Sequence, residues 1–180
     1  KGKKKEDAGM NQAALNKISY GVFVTGVRDT EHFGGNIIDA FMQVTQDPAT
    51  VMYSAMKKNR TTEILLEGGE FTVSVLPSDV HPFIISNFGF QSSRIADKWP
   101  NVPHELVSGL PVLKDAAAWY RLKVLDSRDL NTHVLFYCEV LEAVIGEKES
   151  LVYADYQKSM KPLATSSFME FKKTGISPVL

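Results

Sequence analysis

Apolar and polar positions alternate along much of this chain. In "EFTVSVLP", Phe71, Val73 and Val75 fall on one side and Glu70, Thr72 and Ser74 on the other, which predicts a strand. "SYGVFVTGV" is rich in β-branched and aromatic residues, with Gly21 and Gly26 where the backbone can bend. "NIIDAFMQVTQDP" predicts a second strand closed by Asp47-Pro48, and "TVMYSAM" a third that starts just after Pro48. "AAWYRLKVLD" and the long "THVLFYCEVLEAVI" predict two more, separated by a turn at "DSRDLN".

Helical signals are fewer. "AALNKI" predicts a short helix. "KKNRTTEILLEGG" predicts another, capped by Thr61 or Thr62, with Glu63 in its first turn and Gly68 at its end. "SDVHPFIISNFG" predicts a third, capped by Ser78 or Asp79 with Pro82 in its first turn. "LVYADYQKSMKP" and an irregular tail close the chain. Many closely spaced strands with a few short helices predict a mainly β fold, a β-barrel decorated by helices. A strand as long as Thr132 to Ile145 suits a barrel strand that curves across two layers.

Composition adds limits. The 180 residues are 44% hydrophobic and 23% charged, ordinary for one globular domain, and no Pro/Gly/Ser-rich linker divides them. The net charge of −1 gives no global field for nucleic acid. The basic run "KGKKKED" is confined to the start, and residues 1–9 read as a disordered, solvated tail or a remnant ahead of a native start at Met10. No apolar run approaches the roughly 20 residues that span a bilayer. Cys138 is the only cysteine, which excludes an internal disulfide and fits a reducing cytoplasm.

The candidate chemistry is anion binding. Cys138 shares a strand face with Val134, Phe136 and Val140, so it reads as a small buried hydrophobe rather than a nucleophile. His32, His81, His104 and His133 show no metal-ligand spacing, so no metal is expected. "MKKNRTTE" places Lys57, Lys58, Asn59, Arg60, Thr61 and Thr62 where a helix begins, although cations ordinarily favour a helix's last turn. "FGFQSSRIADKW" repeats the theme with Ser92, Ser93, Arg94 and Lys98 among aromatic residues; if that segment is helical, Arg94 and Lys98 lie on one side. Two anion-receptive segments beside aromatic residues suit a phosphorylated ligand with a flat organic part. Neither a Rossmann glycine signature nor a P-loop is present.

The pieces "KISYGVFVTG", "FMQVTQDP", "KKNRTTEIL", "FTVSVL", "FGFQSSRIADKW" and "THVLFYCEVLEA" occur in the order found in the flavin reductase-like family of FMN-binding split barrels, which this chain resembles over roughly residues 13 to 156. The resemblance implies a Greek-key split barrel over residues 10–180 that binds FMN. It implies that Asp39, Ala40, Phe41, Met42 and Gln43 run past the isoalloxazine and ribityl chain. Lys58, Asn59 and Thr61 would meet the ribityl-phosphate end, and Ser93, Arg94 and Lys98 would close over the phosphate. His133 matches a histidine near the nicotinamide site of the reductase branch and is the candidate catalytic residue. Tyr156 lies in a region that often reaches the flavin of a partner subunit, which implies a homodimer. Asp39-Ala40 stands where relatives often carry Asn-Thr, and Ser92-Ser93 where many carry Ser-Gly.

The function this implies is hydride transfer from NADH or NADPH to FMN and onward to a flavin, a ferric complex or a protein acceptor. Two rivals remain open on the sequence. One is an electron carrier that exchanges electrons with a small rubredoxin-like or ferredoxin-like partner and has no nicotinamide site. The other is a ligand-binding barrel with no redox role.

Overall fold

In the computed structural model, residues 9–180 are described; the expected basic tail, apart from Gly9, lies outside them. An eight-stranded antiparallel sheet runs in the order β2 (Phe33–Gly34), β1 (Phe23–Arg28), β6 (Glu70–Val75), β9 (Ala118–Leu130), β10 (His133–Ile145), β5 (Ala49–Met56) and β4 (Phe41–Gln46), with β3 (Ile37–Ile38) paired to β1. The strand expected at "NIIDAFMQVTQ" is broken in two. Its first half, β3, pairs with β1, and its second half, β4, pairs with β5. The sheet therefore curls until its two ends meet at one segment, with Asp39 and Ala40 in the break. This is a split barrel.

Phe71, Val73 and Val75 point into the barrel, where they meet Val134, Phe136 and Cys138 of β10, as the alternation predicts. On the opposite face of β6, Glu70 is exposed but Thr72 and Ser74 are buried. Thr72 Oγ1 donates to Pro111 O, and Ser74 Oγ accepts from the Leu113 N–H, so the hydroxyls hold the hairpin β7 (His104–Val107) and β8 (Leu110–Leu113) against the barrel. Burial pushes the Cys138 thiol up to about 12, consistent with an inert core residue.

A second apolar core lies outside the barrel. It joins Val22 and Val24 of the β1 region to Phe83, Ile85 and Phe88 of α3 (Pro82–Gly89), to Trp99 and to Ala164. Helix α1 (Gln12–Leu15) stands apart from it, with no buried residue. His81, not Ser78 or Asp79, caps α3 through its ring nitrogen, because Pro82 fixes the first helical position directly after it. The "DSRDLN" segment is not a turn: β9 continues to Leu130, and Asn131 in a left-handed conformation makes the reversal with Thr132. The irregular tail expected at the C-terminus is also corrected. After α4 (Tyr153–Asp155) and a π-helical turn over Tyr156–Met160 comes α5 (Lys161–Thr174), which ends at Gly175 with φ of 70°. No helix among the described residues is long and apolar enough to cross a membrane.

Candidate functional site

A cleft of about 450 Å³ opens between the loop before β3, the turn after β5, and the segment that leaves α3. Its first wall is built on Asn36. The Asn36 N–H donates to Thr25 Oγ1, and Asn36 Oδ1 accepts from Thr25 Oγ1 and from Thr61 Oγ1, the latter at 3.0 Å. One side chain thus fixes β1, the loop before β3 and the start of α2 (Arg60–Leu66). Neither Thr61 nor Thr62 caps α2, which follows Asn59. Thr61 is committed to Asn36, and Thr62 Oγ1 donates to the Met56 carbonyl.

The facing wall is tied back to Gly35. Ser93 Oγ donates to Gly35 O and accepts from the Gly35 N–H, at 2.9 and 3.1 Å. Lys98 is 2% exposed, and its Nζ donates to Gly35 O at 2.8 Å and to Phe88 O at 2.9 Å. Only glycine fits at position 35, since a Cβ there would lie 2.6 Å from the Thr25 carbonyl and 3.0 Å from the Phe88 ring. Burial lowers the Lys98 pKa from 10.5 to about 8. An ammonium has three N–H groups, and these bonds use two of them; Lys98 also lines the cleft.

A charged chain crosses the rim. Arg60 grips Asp29 with two bonds, Nε to Oδ2 at 2.9 Å and Nη2 to Oδ1 at 2.7 Å, and reaches Glu63 at 3.2 Å. Arg94 pairs with the same Glu63 and donates to Lys58 O. The Arg60 guanidinium holds the Asp29 carboxyl down to about 2. Lys58 has no ion-pair partner among the described residues, whereas Lys57 is paired with Asp129.

The candidates named from the sequence therefore divide. Lys58, Asn59, Thr61, Ser93 and Lys98 converge on the cleft, with Arg60 and Ser92. Arg94 and Lys98 do not share a helical face: the segment is a series of turns, Arg94 is exposed on the rim, and Lys98 is buried. Asp39, Ala40, Phe41, Met42 and Gln43 form the split beside the cleft rather than its lining. There the Phe41 ring packs on Phe23 and Tyr120, and Met42 is 61% exposed. His133 opens β10 opposite Met56, a cleft residue, and its Nδ1 lies 2.8 Å from Thr132 Oγ1. Tyr156 is turned into the second core of its own chain, 8% exposed. Sequence reasoning missed Gly35, Asn36 and the apolar lining residues Ile37 and Met56. The double glycine of "FGGN" ahead of two isoleucines was the available signal for the first two.

Chemically, the cleft joins hydroxyl and ammonium donors (Ser92, Lys58, Lys98) to an apolar side formed by Ile37, Met56 and Phe90. That donor set fits a phosphate at one end and an aromatic ring system at the other, in a volume typical of small-ligand sites. Among the described residues no cluster of side chains could hold a metal ion.

A split barrel with such a cleft defines a class of cofactor-binding β proteins. The chain belongs to the flavin reductase-like domain family, whose model matches residues 15–163. It is 32% identical over 152 residues to a high molecular weight rubredoxin of Moorella thermoacetica, covering 83% of this chain and 66% of that one. It is also 32% identical over 169 residues to a ferric-chelate reductase (NAD(P)H) of Archaeoglobus fulgidus, covering 91% of this chain and all of that one. Among solved structures, the flavin reductase PheA2 superposes with a TM-score of 0.68 at 28% identity, over 79% of this chain and 93% of that one.

Proposed function

We propose that this protein is an NAD(P)H-dependent flavin or ferric oxidoreductase that holds FMN in the cleft between Asn36, the start of α2 and the Phe88–Lys98 segment. The observation that carries the reading is the meeting of Lys58, Thr61, Ser92 and Lys98 with an apolar wall in one cleft of a flavin reductase-like barrel. Bound FMN supplies the redox chemistry, taking hydride from NADH or NADPH and passing electrons to a flavin, ferric or protein acceptor.

The chain's own residues bind and orient. Lys58 and the spare N–H of Lys98 hold the phosphate, with Asn59, Thr61 and Ser93 shaping the pocket around it and the ribityl chain. Asp39 to Gln43 run beside the ring at the split between β3 and β4. Arg94 joins the phosphate from the rim by exchanging Glu63 for it. His133 positions the nicotinamide from the far side of Met56. Acid release followed by chromatography should yield FMN; FAD or no flavin would overturn the assignment.

A second reading is favoured by the rubredoxin relative: an electron carrier that serves a small rubredoxin-like protein. FMN-loaded protein that NADH and NADPH both fail to reduce, yet a reduced rubredoxin does, would select it.

The protein is further proposed to be a homodimer in the cytoplasm. Pairing of β6 with β9 stops at Lys123, so the outer half of the β9–β10 hairpin presents an open edge with Leu125 and Leu130 exposed. Light scattering at the monomer mass would contradict the dimer. The buried Cys138 thiol fits a reducing compartment; export of the tagged protein in cell fractionation would contradict it.

A further inference from the structure

The match to the family model stops at residue 163, yet the chain continues through most of α5 and folds back onto the cleft. Ala164, Phe168 and Phe171 recur at helical spacing along α5 and face the second core, where Ala164 is fully buried. Phe171 packs edge-on against Phe83 of α3 with ring centroids 5.0 Å apart. One turn earlier, Phe168 meets Phe90 at 5.7 Å and 79°. Phe90 lies just past the end of α3, lines the cleft and is 43% exposed. A ring so exposed has several rotamers open to it, and an edge-to-face neighbour selects one.

The end of the chain returns to the same wall. Gly175 turns it, and Ser177 Oγ donates to Asn101 O at 2.7 Å. The Asn101 amide donates to Asn87 Oδ1, and the Asn87 amide donates to Lys98 O. Both parts of the C-terminal segment therefore rest on groups that form or support the cleft wall.

We propose that residues 164–180 are a positioning element of the cleft, and that Phe168 fixes the Phe90 ring as the aromatic wall against which the flavin nucleotide packs. This rests on the FMN reading above. Phe168 touches no ligand and acts through Phe90.

The test is a double-mutant cycle on flavin affinity, read by fluorescence quenching as FMN or riboflavin is titrated into apoprotein. Phe168→Ala and Phe90→Ala should each weaken both flavins about threefold to tenfold, the size of an aromatic pair. The double variant should lose no more than Phe90→Ala alone, because the two residues form one unit. Phe168→Leu keeps an apolar side chain on α5 without a ring edge. It guards against an unfolded alanine variant and should weaken both flavins in the same direction. Wild-type affinity in the folded Phe168 variants, or losses that add in the double variant, would overturn the proposal alone. Wild-type apoprotein that quenches neither flavin would overturn the FMN reading and this proposal with it.

Discussion

Arg94 and Glu63 meet across the rim of the cleft, with Arg94 Nη1 2.9 Å from Glu63 Oε2 and Arg60 on the same carboxylate. Both guanidinium groups hold the Glu63 pKa below its ordinary value, Arg94 most strongly. A phosphate entering the cleft competes with Glu63 for Arg94. Glu63→Gln should therefore tighten FMN while leaving riboflavin unchanged, and Arg94→Ala should weaken FMN, by about tenfold or less for so exposed a group. Equal effects on the two flavins would show that the pair only braces the loop.

Lys98 gives the site a pH dependence. Its pKa falls from 10.5 to about 8 through burial. Between those values the unfolded chain binds a proton that folded Lys98 has released, so stability rises with pH across that window. Affinity for FMN should fall as pH rises through about 8, because the ammonium that faces the phosphate is lost. Riboflavin affinity should not change, and Lys98→Met should flatten both profiles. Paired titrations of FMN and riboflavin from neutral to alkaline pH check this; parallel curves would remove Lys98 from the phosphate end.

Asp29 acts on stability. Its carboxyl is held near 2 against an ordinary 3.8, chiefly by the Arg60 hydrogen bonds. A lowered acid pKa contributes stability that is present above about pH 4 and lost as pH falls towards 2. Asp29→Asn should cost about 2 kcal/mol at neutral pH and remove that acid-side slope. Denaturant melts of both proteins at neutral and acid pH measure it, and an unchanged slope would show that other carboxylates govern acid unfolding.

His133 is proposed to orient the nicotinamide and not to hold FMN. His133→Ala should keep FMN affinity and slow anaerobic flavin reduction by NADH or NADPH about tenfold, or 1.4 kcal/mol of barrier. Reduction at the wild-type rate would leave the Thr132 contact as its whole role.

What could be read in advance follows the range of the interactions. The alternation of Phe71, Val73 and Val75 and the face shared by Val134, Phe136 and Cys138 are local patterns, and the barrel interior matches them. Lys58 was legible because a cation is out of place where a helix begins, and Thr61 and Ser93 because hydroxyls stand beside cations in both segments. Lys98 was legible as a cation but not as a buried one, since its acceptors Gly35 and Phe88 are brought to it only by the fold. Asn36 joins Thr25 to Thr61, a contact that no spacing announces. Helix α5 was obscured by Thr165, Ser166 and Ser167, which are weak helix formers. Its signals were Pro162 near the start, Gly175 at the end and the 164/168/171 stripe.

The most direct test of the account is anaerobic mixing of the FMN-loaded protein with NADH and, separately, NADPH, followed in the visible flavin band. The account predicts that at least one nucleotide bleaches the band and that air, or an added ferric chelate or free flavin, restores it. A protein that holds FMN yet keeps its oxidised spectrum with both nucleotides would contradict the assignment as an NAD(P)H-dependent oxidoreductase.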